Sequence, residues 1–132
     1  MIEFGIRLAR DMKTDTVIAL IGDLGAGKTT LAKGLICGLT GTGVDDVSSP
    51  TFQYVSLYEG QGRSVAHFDL WRLAGVDEFV SLGFEDLLTT TTSLIEWPDR
   101  ISILLPPETL FITSRVVEGG REVIIGDHHG AA

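Results

Sequence analysis

Residues 22–29 read GDLGAGKT, and this segment constrains the fold of the chain more than any other feature. It fits the pattern G-x-x-x-x-G-K-[ST] in full. The residues before it, 16–21, are predicted to form a buried strand, because this stretch is short, apolar from residue 17 onward and terminated by Gly22. After it, Leu31, Leu35 and Leu39 recur at helical spacing. A strand, a glycine-rich loop and a helix in this order predict an α/β fold.

The three glycines of the segment, Gly22, Gly25 and Gly27, permit backbone angles closed to other residues. They let backbone N–H groups face an anion, and the start of the following helix adds its own free N–H groups and positive dipole end. Lys28 would reach β- and γ-phosphates as a point charge, and the Thr29 hydroxyl is a suitable Mg²⁺ ligand. The segment is therefore predicted to be a phosphate-binding loop (P-loop) for a magnesium nucleotide.

Length and charge narrow the class of protein further. With 132 residues the chain is predicted to form one domain over 1–132, with 127–132 as a frayed tail. Its formal net charge is −8, and its basic residues are dispersed, so direct binding of DNA or RNA is not expected. The apolar runs are too short to span a bilayer, and no secretory leader is recognised. We expect a soluble, cytoplasmic protein with no membrane association.

The remaining pattern predicts further elements around the strand, loop and helix. An opening helix is predicted from residue 2 to about residue 13, and helical spacing interrupted by Gly83 is predicted over 76–88. A single strand is predicted at 93–97. Two hairpins are predicted, one from strands 52–58 and 64–69 and the other from strands 110–117 and 121–125. The expected architecture is a three-layer sandwich like that of P-loop NTPases, with a mixed central sheet and hairpins.

A P-loop protein also needs an acid at the end of a neighbouring strand, to hold Mg²⁺ or its waters, and a group that positions the attacking water. Asp69 and Glu96 both end predicted strands, and each could instead be an ordinary strand-end acid. Thr51 stands in a loop before a strand, where a hydroxyl could sense a γ-phosphate; a plain loop threonine is the alternative.

Two residues near Asp69 have open roles. His67 lies two residues earlier, on the same face of the strand, where it could hydrogen-bond the Asp69 carboxylate, sense phosphate or simply pack. Arg72 could be the ion-pair partner that fixes Asp69, or a solvated arginine.

Five motifs in order resemble the TsaE family, also called YjeE: GDLGAGKTT (22–30), SSPTF (48–52), HFDLWRL (67–73), LGFED (82–86) and EWP (96–98). This family is the bacterial ATPase of transfer-RNA threonylcarbamoyladenosine synthesis. The resemblance implies an ATPase that is slow alone, works with a TsaB–TsaD heterodimer and meets tRNA only through these partners. ATP and Mg²⁺ are the implied cofactors.

The resemblance also implies site residues. Thr29 and Glu96 would hold Mg²⁺, Asp69 would be the acid of the HxD motif at the nucleotide, and Lys28, Asp69 and Glu96 form the predicted catalytic set. Trp97 would lie near the site, and Arg121 would approach the nucleotide. The full predicted nucleotide-binding set is Leu24, Gly25, Ala26, Gly27, Lys28, Thr29, Thr30, Thr51, Asp69, Trp97 and Arg121. Trp71 stands where the family usually has tyrosine.

Two other classes of protein share a P-loop. A small kinase usually needs an arginine-bearing lid, and no such insertion is visible in the sequence. A nucleotide-gated interaction module would bind ATP without significant turnover. A regulatory GTPase is disfavoured further, because its guanine-reading N-K-x-D motif needs an asparagine and this chain has none.

Overall fold

The computed structural model of the chain describes residues 1–13, 15–22, 27–50 and 52–126. Helices flank a single sheet whose six strands run through most of the chain. The helices are α1 (Ile2–Ala9), α2 (Lys28–Thr40), α3 (Val76–Ser81) and α4 (Leu87–Thr90), with 3-10 helices at Val44–Asp46 and Pro98–Leu104. The strands are β1 (Val17–Gly22), β2 (Val55–Gly60), β3 (Arg63–Asp69), β4 (Thr92–Glu96), β5 (Leu110–Val117) and β6 (Gly120–Gly126).

The strand order in the sheet is β2-β3-β4-β1-β5-β6. The four inner strands are parallel: β1 pairs with β4 and β5, and β3 pairs with β4. The two edge strands, β2 and β6, are antiparallel partners in hairpins with β3 and β5. The predicted α/β fold with a mixed central sheet and two hairpins is confirmed.

Both faces of β1 are covered, which explains its continuous apolar sequence. Ile18 and Leu20 point into a core formed with α1 and α2, whereas Val17 belongs to a second core with Phe79 of α3 and Ile101 of the 3-10 helix Pro98–Leu104. Alternate residues of one strand therefore serve opposite layers, and the sheet is the middle of three layers.

The first helix lies unusually close to α2 because glycines line their contact. A Cβ on Gly34 of α2 would stand 2.3 Å from the carbonyl oxygen of Ile2, and one on Gly5 of α1 would stand 2.8 Å from that of Leu31. Neither position has room for a side chain, since backbone atoms are the neighbours. This contact fixes α1 against the helix that follows the predicted P-loop.

Several boundaries differ from the sequence prediction. The opening helix ends at Ala9 rather than near residue 13. Strand β2 begins at Val55 rather than at residue 52, because Tyr54 has a φ of 66° and leaves the extended conformation. Strand β4 ends at Glu96, one residue early, because Trp97 has a φ of 62°. The helical stretch near Gly83 is interrupted as predicted, since this residue has a φ of 80° between α3 and α4.

The 3-10 helix Pro98–Leu104 was not predicted from the sequence. This segment is the crossover from β4 to β5. Within the described ranges, no helix has both the length and the apolar character that a membrane-spanning segment needs.

Candidate functional site

The carboxyl ends of β1, β3 and β4 meet at one edge of the sheet. In the parallel register Asp69 of β3 lies opposite Glu96 of β4, and Glu96 in turn lies opposite Leu20 of β1. Glu96 therefore sits between Asp69 and the strand that leads into the predicted P-loop. Four predicted binding residues lie outside the described part of the chain: Leu24, Gly25, Ala26 and Thr51.

Helix α2 begins beside this edge. Gly27 is its N-cap, with a φ of 90°, and has no side chain that could cap the first N–H groups. A Cβ at Gly27 would stand 3.2 Å from Nε of Arg121, so the predicted contact residue Arg121 does lie at the start of α2 although it belongs to β6. Thr30, also predicted, is exposed in the first turn. The geometry suits an anion-binding helix end.

Lys28, the first residue of α2, is only 7% exposed. Its Nζ donates a hydrogen bond to the carbonyl oxygen of Gly22, at 3.0 Å, and lies 3.7 Å from the ring centroid of Trp97. A buried ammonium needs such partners because its desolvation is costly. The ammonium group of Lys28 is therefore held beside Gly22, the first residue of the segment 22–29.

A chain of hydrogen bonds connects α2 with β4 and β3. The Thr29 hydroxyl donates to Oε1 of Glu96 at 2.9 Å, and Oε2 of Glu96 lies 2.7 Å from Nε2 of His67. His67 and Glu96 are 1% and 2% exposed. The suggestion that His67 could bond Asp69 is wrong: the imidazole reaches across to the neighbouring strand, because parallel pairing brings the two buried side chains together.

Asp69 is half-buried, and its Oδ1 accepts the backbone N–H of Trp71 at 3.1 Å. Burial raises the pKa of this carboxyl, and the charge of Glu96 adds to the rise; the Trp71 N–H, His67 and Lys28 act in the opposite direction. The mixture of opposing groups is typical of a functional site.

Arg72 does not form the suggested ion pair with Asp69. Its guanidinium carbon lies 4.9 Å from the ring centroid of Phe52 instead, and both of these side chains are exposed. The acid is therefore fixed by its backbone partner and by burial rather than by an arginine.

We expect Asp69→Asn to raise the melting temperature at neutral pH, by a few degrees at most, on the order expected for a half-exposed group. A raised pKa means that the folded state binds the proton more tightly than the unfolded state, so ionisation of Asp69 costs stability as pH rises through its folded pKa. Asparagine removes that cost.

The measurement is thermal unfolding of wild type and variant from pH 4 to 8, with the exposed Asp11→Asn as control. The gain should disappear near pH 4, where an unfolded aspartate is about half protonated. A variant that is less stable than wild type at pH 7 would contradict the assignment.

Trp97 packs against Lys28 and against a second tryptophan, Trp71. Its backbone adopts left-handed angles, φ 62° and ψ 53°, which are rare for a large side chain. The indole contacts Trp71 with ring centroids 4.4 Å apart, and Trp71 is 54% exposed. The resemblance placed Trp97 near the site, but nothing in the spacing indicated that the two tryptophans pack together.

A cavity of about 630 Å³ opens next to Lys28. Its walls come from the carboxyl end of β1, from β5 and from the β4–β5 crossover, and include Trp97, Leu105 and Phe111. The size is within the range of small-molecule pockets.

The fit of Mg²⁺ can be judged from the donors present. The described residues hold no cluster of three or more His, Cys, Asp or Glu that could bind a metal alone. Thr29 and Glu96 do bring two oxygens within 2.9 Å of each other, and oxygen is the donor that Mg²⁺ prefers. This set fits an ion that takes its other ligands from phosphates and water.

A comparison with known protein families shows the family of the chain. The family described as "Threonylcarbamoyl adenosine biosynthesis protein TsaE" matches residues 1–123. The chain belongs to the TsaE family. The resemblance of the five motifs is thereby confirmed.

Individual TsaE relatives match over most of their length. A Treponema pallidum protein named tRNA threonylcarbamoyladenosine biosynthesis protein TsaE is 34% identical over 125 residues, which cover 92% of this chain and 90% of that protein. The protein of the same name from Haemophilus influenzae is 35% identical over 129 residues, covering 93% and 80%. The crystal structure of Bacillus subtilis YdiB superposes with a TM-score of 0.66 at 27% identity, covering 94% and 76%.

Proposed function

We propose that this TsaE-family protein is a Mg²⁺-dependent ATPase that serves tRNA threonylcarbamoyladenosine biosynthesis. The observation that carries the proposal is the hydrogen bond between the Thr29 hydroxyl and Glu96, formed beside the buried Lys28 at the start of α2. A hydroxyl and a carboxylate in this relation could share a metal ion, and the lysine could neutralise phosphate oxygens.

Each residue of the site has a separate proposed role. Lys28 and the N–H groups in the first turn of α2 bind and orient the triphosphate, and Arg121 lies where it could add a second cation. Mg²⁺, held by Thr29 and Glu96, would offset negative charge on the phosphates. The raised pKa of Asp69 makes that carboxyl a better proton acceptor than an ordinary aspartate, and it would orient the attacking water.

We propose further that the protein works with a TsaB–TsaD heterodimer and does not bind tRNA directly. The formal net charge of −8 supports the second part, because an acidic surface repels a polyanion. The names of the TsaE relatives support the pathway.

A small kinase is the second candidate, favoured by one observation: the cavity of about 630 Å³ beside Lys28 could hold a phosphate acceptor. The acceptor would then lie next to the amine that binds the γ-phosphate. A module that binds nucleotide without turnover is the non-enzymatic alternative.

The three possibilities are separated by measuring ATP consumption with and without purified TsaB–TsaD. The proposal predicts slow phosphate release by the protein alone, a clear increase when the heterodimer is added, and loss of activity on chelation of Mg²⁺. Phosphate transfer to a small acceptor instead of water would support the kinase. Nucleotide binding with no turnover under either condition would support the module and contradict the ATPase.

A further inference from the structure

His67 lies behind the carboxylate of Glu96 as seen from α2. The imidazole extends from β3, an inner strand of the sheet, and His67 is 1% exposed. Its neighbour on the same face, Val65, packs into the core of α1 and α2. The ring is thus enclosed by apolar packing and presents one nitrogen to a polar partner, Oε2 of Glu96, at 2.7 Å.

The direction of this hydrogen bond follows from the carboxylate. Oε1 of Glu96 accepts the Thr29 hydroxyl proton. A carboxylate that holds a metal ion, as proposed for Glu96, is ionised and has only acceptors, so in that role Nε2 of His67 is the donor. The other ring nitrogen, Nδ1, has no hydrogen-bond partner among the residues that the structure describes. Among the described residues Glu96 is therefore the polar partner of this ring, and burial in the core holds the ring itself in place.

We propose that His67 is a positioning residue for Glu96. A carboxylate rotates readily about its terminal bond, and the described residues offer Oε2 of Glu96 no other donor. By holding Oε2, the imidazole directs Oε1 toward the Thr29 hydroxyl, where the metal ion is proposed to bind. Groups behind a metal ligand commonly orient it in this way. The inference rests on the proposed Mg²⁺-dependent ATPase.

Two amide substitutions form a matched test. The side-chain nitrogen of His67→Gln can take the place of Nε2 and reach Glu96, whereas that of His67→Asn corresponds to Nδ1 and cannot. Both are polar and similar in size, so a role in packing alone would affect them alike. We expect His67→Asn to raise the Mg²⁺ requirement or lower kcat by about 10- to 100-fold, with the KM for ATP little changed. His67→Gln should recover most of this loss.

A second readout does not depend on activity. In ¹⁵N-labelled wild-type protein without metal or nucleotide, the His67 ring should show a protonated Nε2 whose proton exchanges slowly with water, and Glu96→Gln should change that signal. Mg²⁺ affinity of the complex with a non-hydrolysable ATP analogue, followed by Trp97 fluorescence, should fall in His67→Asn and recover in His67→Gln.

If His67→Asn matches wild type in both Mg²⁺ dependence and kcat, or if the asparagine and glutamine variants lose activity equally, the positioning role is overturned while the ATPase stays intact. A wild-type signal with Nε2 unprotonated would also overturn it. Wild-type protein that binds no Mg²⁺-nucleotide would instead overturn the proposed function, and the role of His67 with it.

Discussion

Lys28→Ala is expected to abolish ATP turnover, with a loss of roughly 100-fold or more, the size typical of removing one group that stabilises transition-state charge. Lys28 is the one basic residue in the sequence of the segment 22–29, and its side chain is bonded to Gly22 and packed on Trp97. Without it the γ-phosphate oxygens would lose the buried ammonium and keep backbone N–H groups, the metal and Arg121 as their proposed partners. Steady-state phosphate release measures the loss.

The matched control is Lys33→Ala, in the same helix but one turn further on and half-buried. Its activity should stay close to that of wild type. Because Lys28 also satisfies the Gly22 carbonyl, circular dichroism and thermal unfolding are needed to show that Lys28→Ala is folded. A folded Lys28→Ala protein with wild-type turnover would remove the basis of the proposed function.

Glu96→Gln is expected to separate binding from hydrolysis. The substitution keeps the shape of the side chain but removes the negative charge that would hold the metal ion, so turnover should fall by about 100-fold or more. Affinity for the nucleotide should fall far less, because the contacts that Lys28 and the start of α2 are proposed to make with phosphate remain. Turnover assays and equilibrium binding on the same preparation give the two numbers.

Glu85→Gln provides the control for a lost carboxylate, since Glu85 is exposed in the turn before α4. It should leave both quantities unchanged. Parallel losses of binding and turnover in Glu96→Gln would count against a metal-holding role for Glu96 and would point to a general disturbance of the buried contact with His67.

The sequence predicted the strand, loop and helix around the segment 22–29 because each is determined by local pattern: an apolar run, closely spaced glycines and a helical repeat. It also predicted that Asp69 and Glu96 end strands, and the parallel register places them side by side. Whether the predicted residues bind nucleotide and Mg²⁺ stays a prediction.

Other features depend on contacts that the sequence does not encode locally. The pairing of His67 with Glu96 needs β3 and β4 to be neighbours, and these strands are separated by two helices. The left-handed backbone at Tyr54 and Trp97 is imposed by the surrounding structure against the preference of both residues. The helix Pro98–Leu104 lacks a regular apolar repeat, and for this reason no pattern in the sequence indicated it.

The most direct measurement of the central claim is isothermal titration calorimetry of the folded protein with a non-hydrolysable ATP analogue. We predict saturable heat with one nucleotide per chain in the presence of Mg²⁺, weaker binding when Mg²⁺ is chelated, and none in Lys28→Ala. Wild-type protein that is folded but gives no binding heat with Mg²⁺ and the adenine nucleotide at any temperature tested would contradict the account.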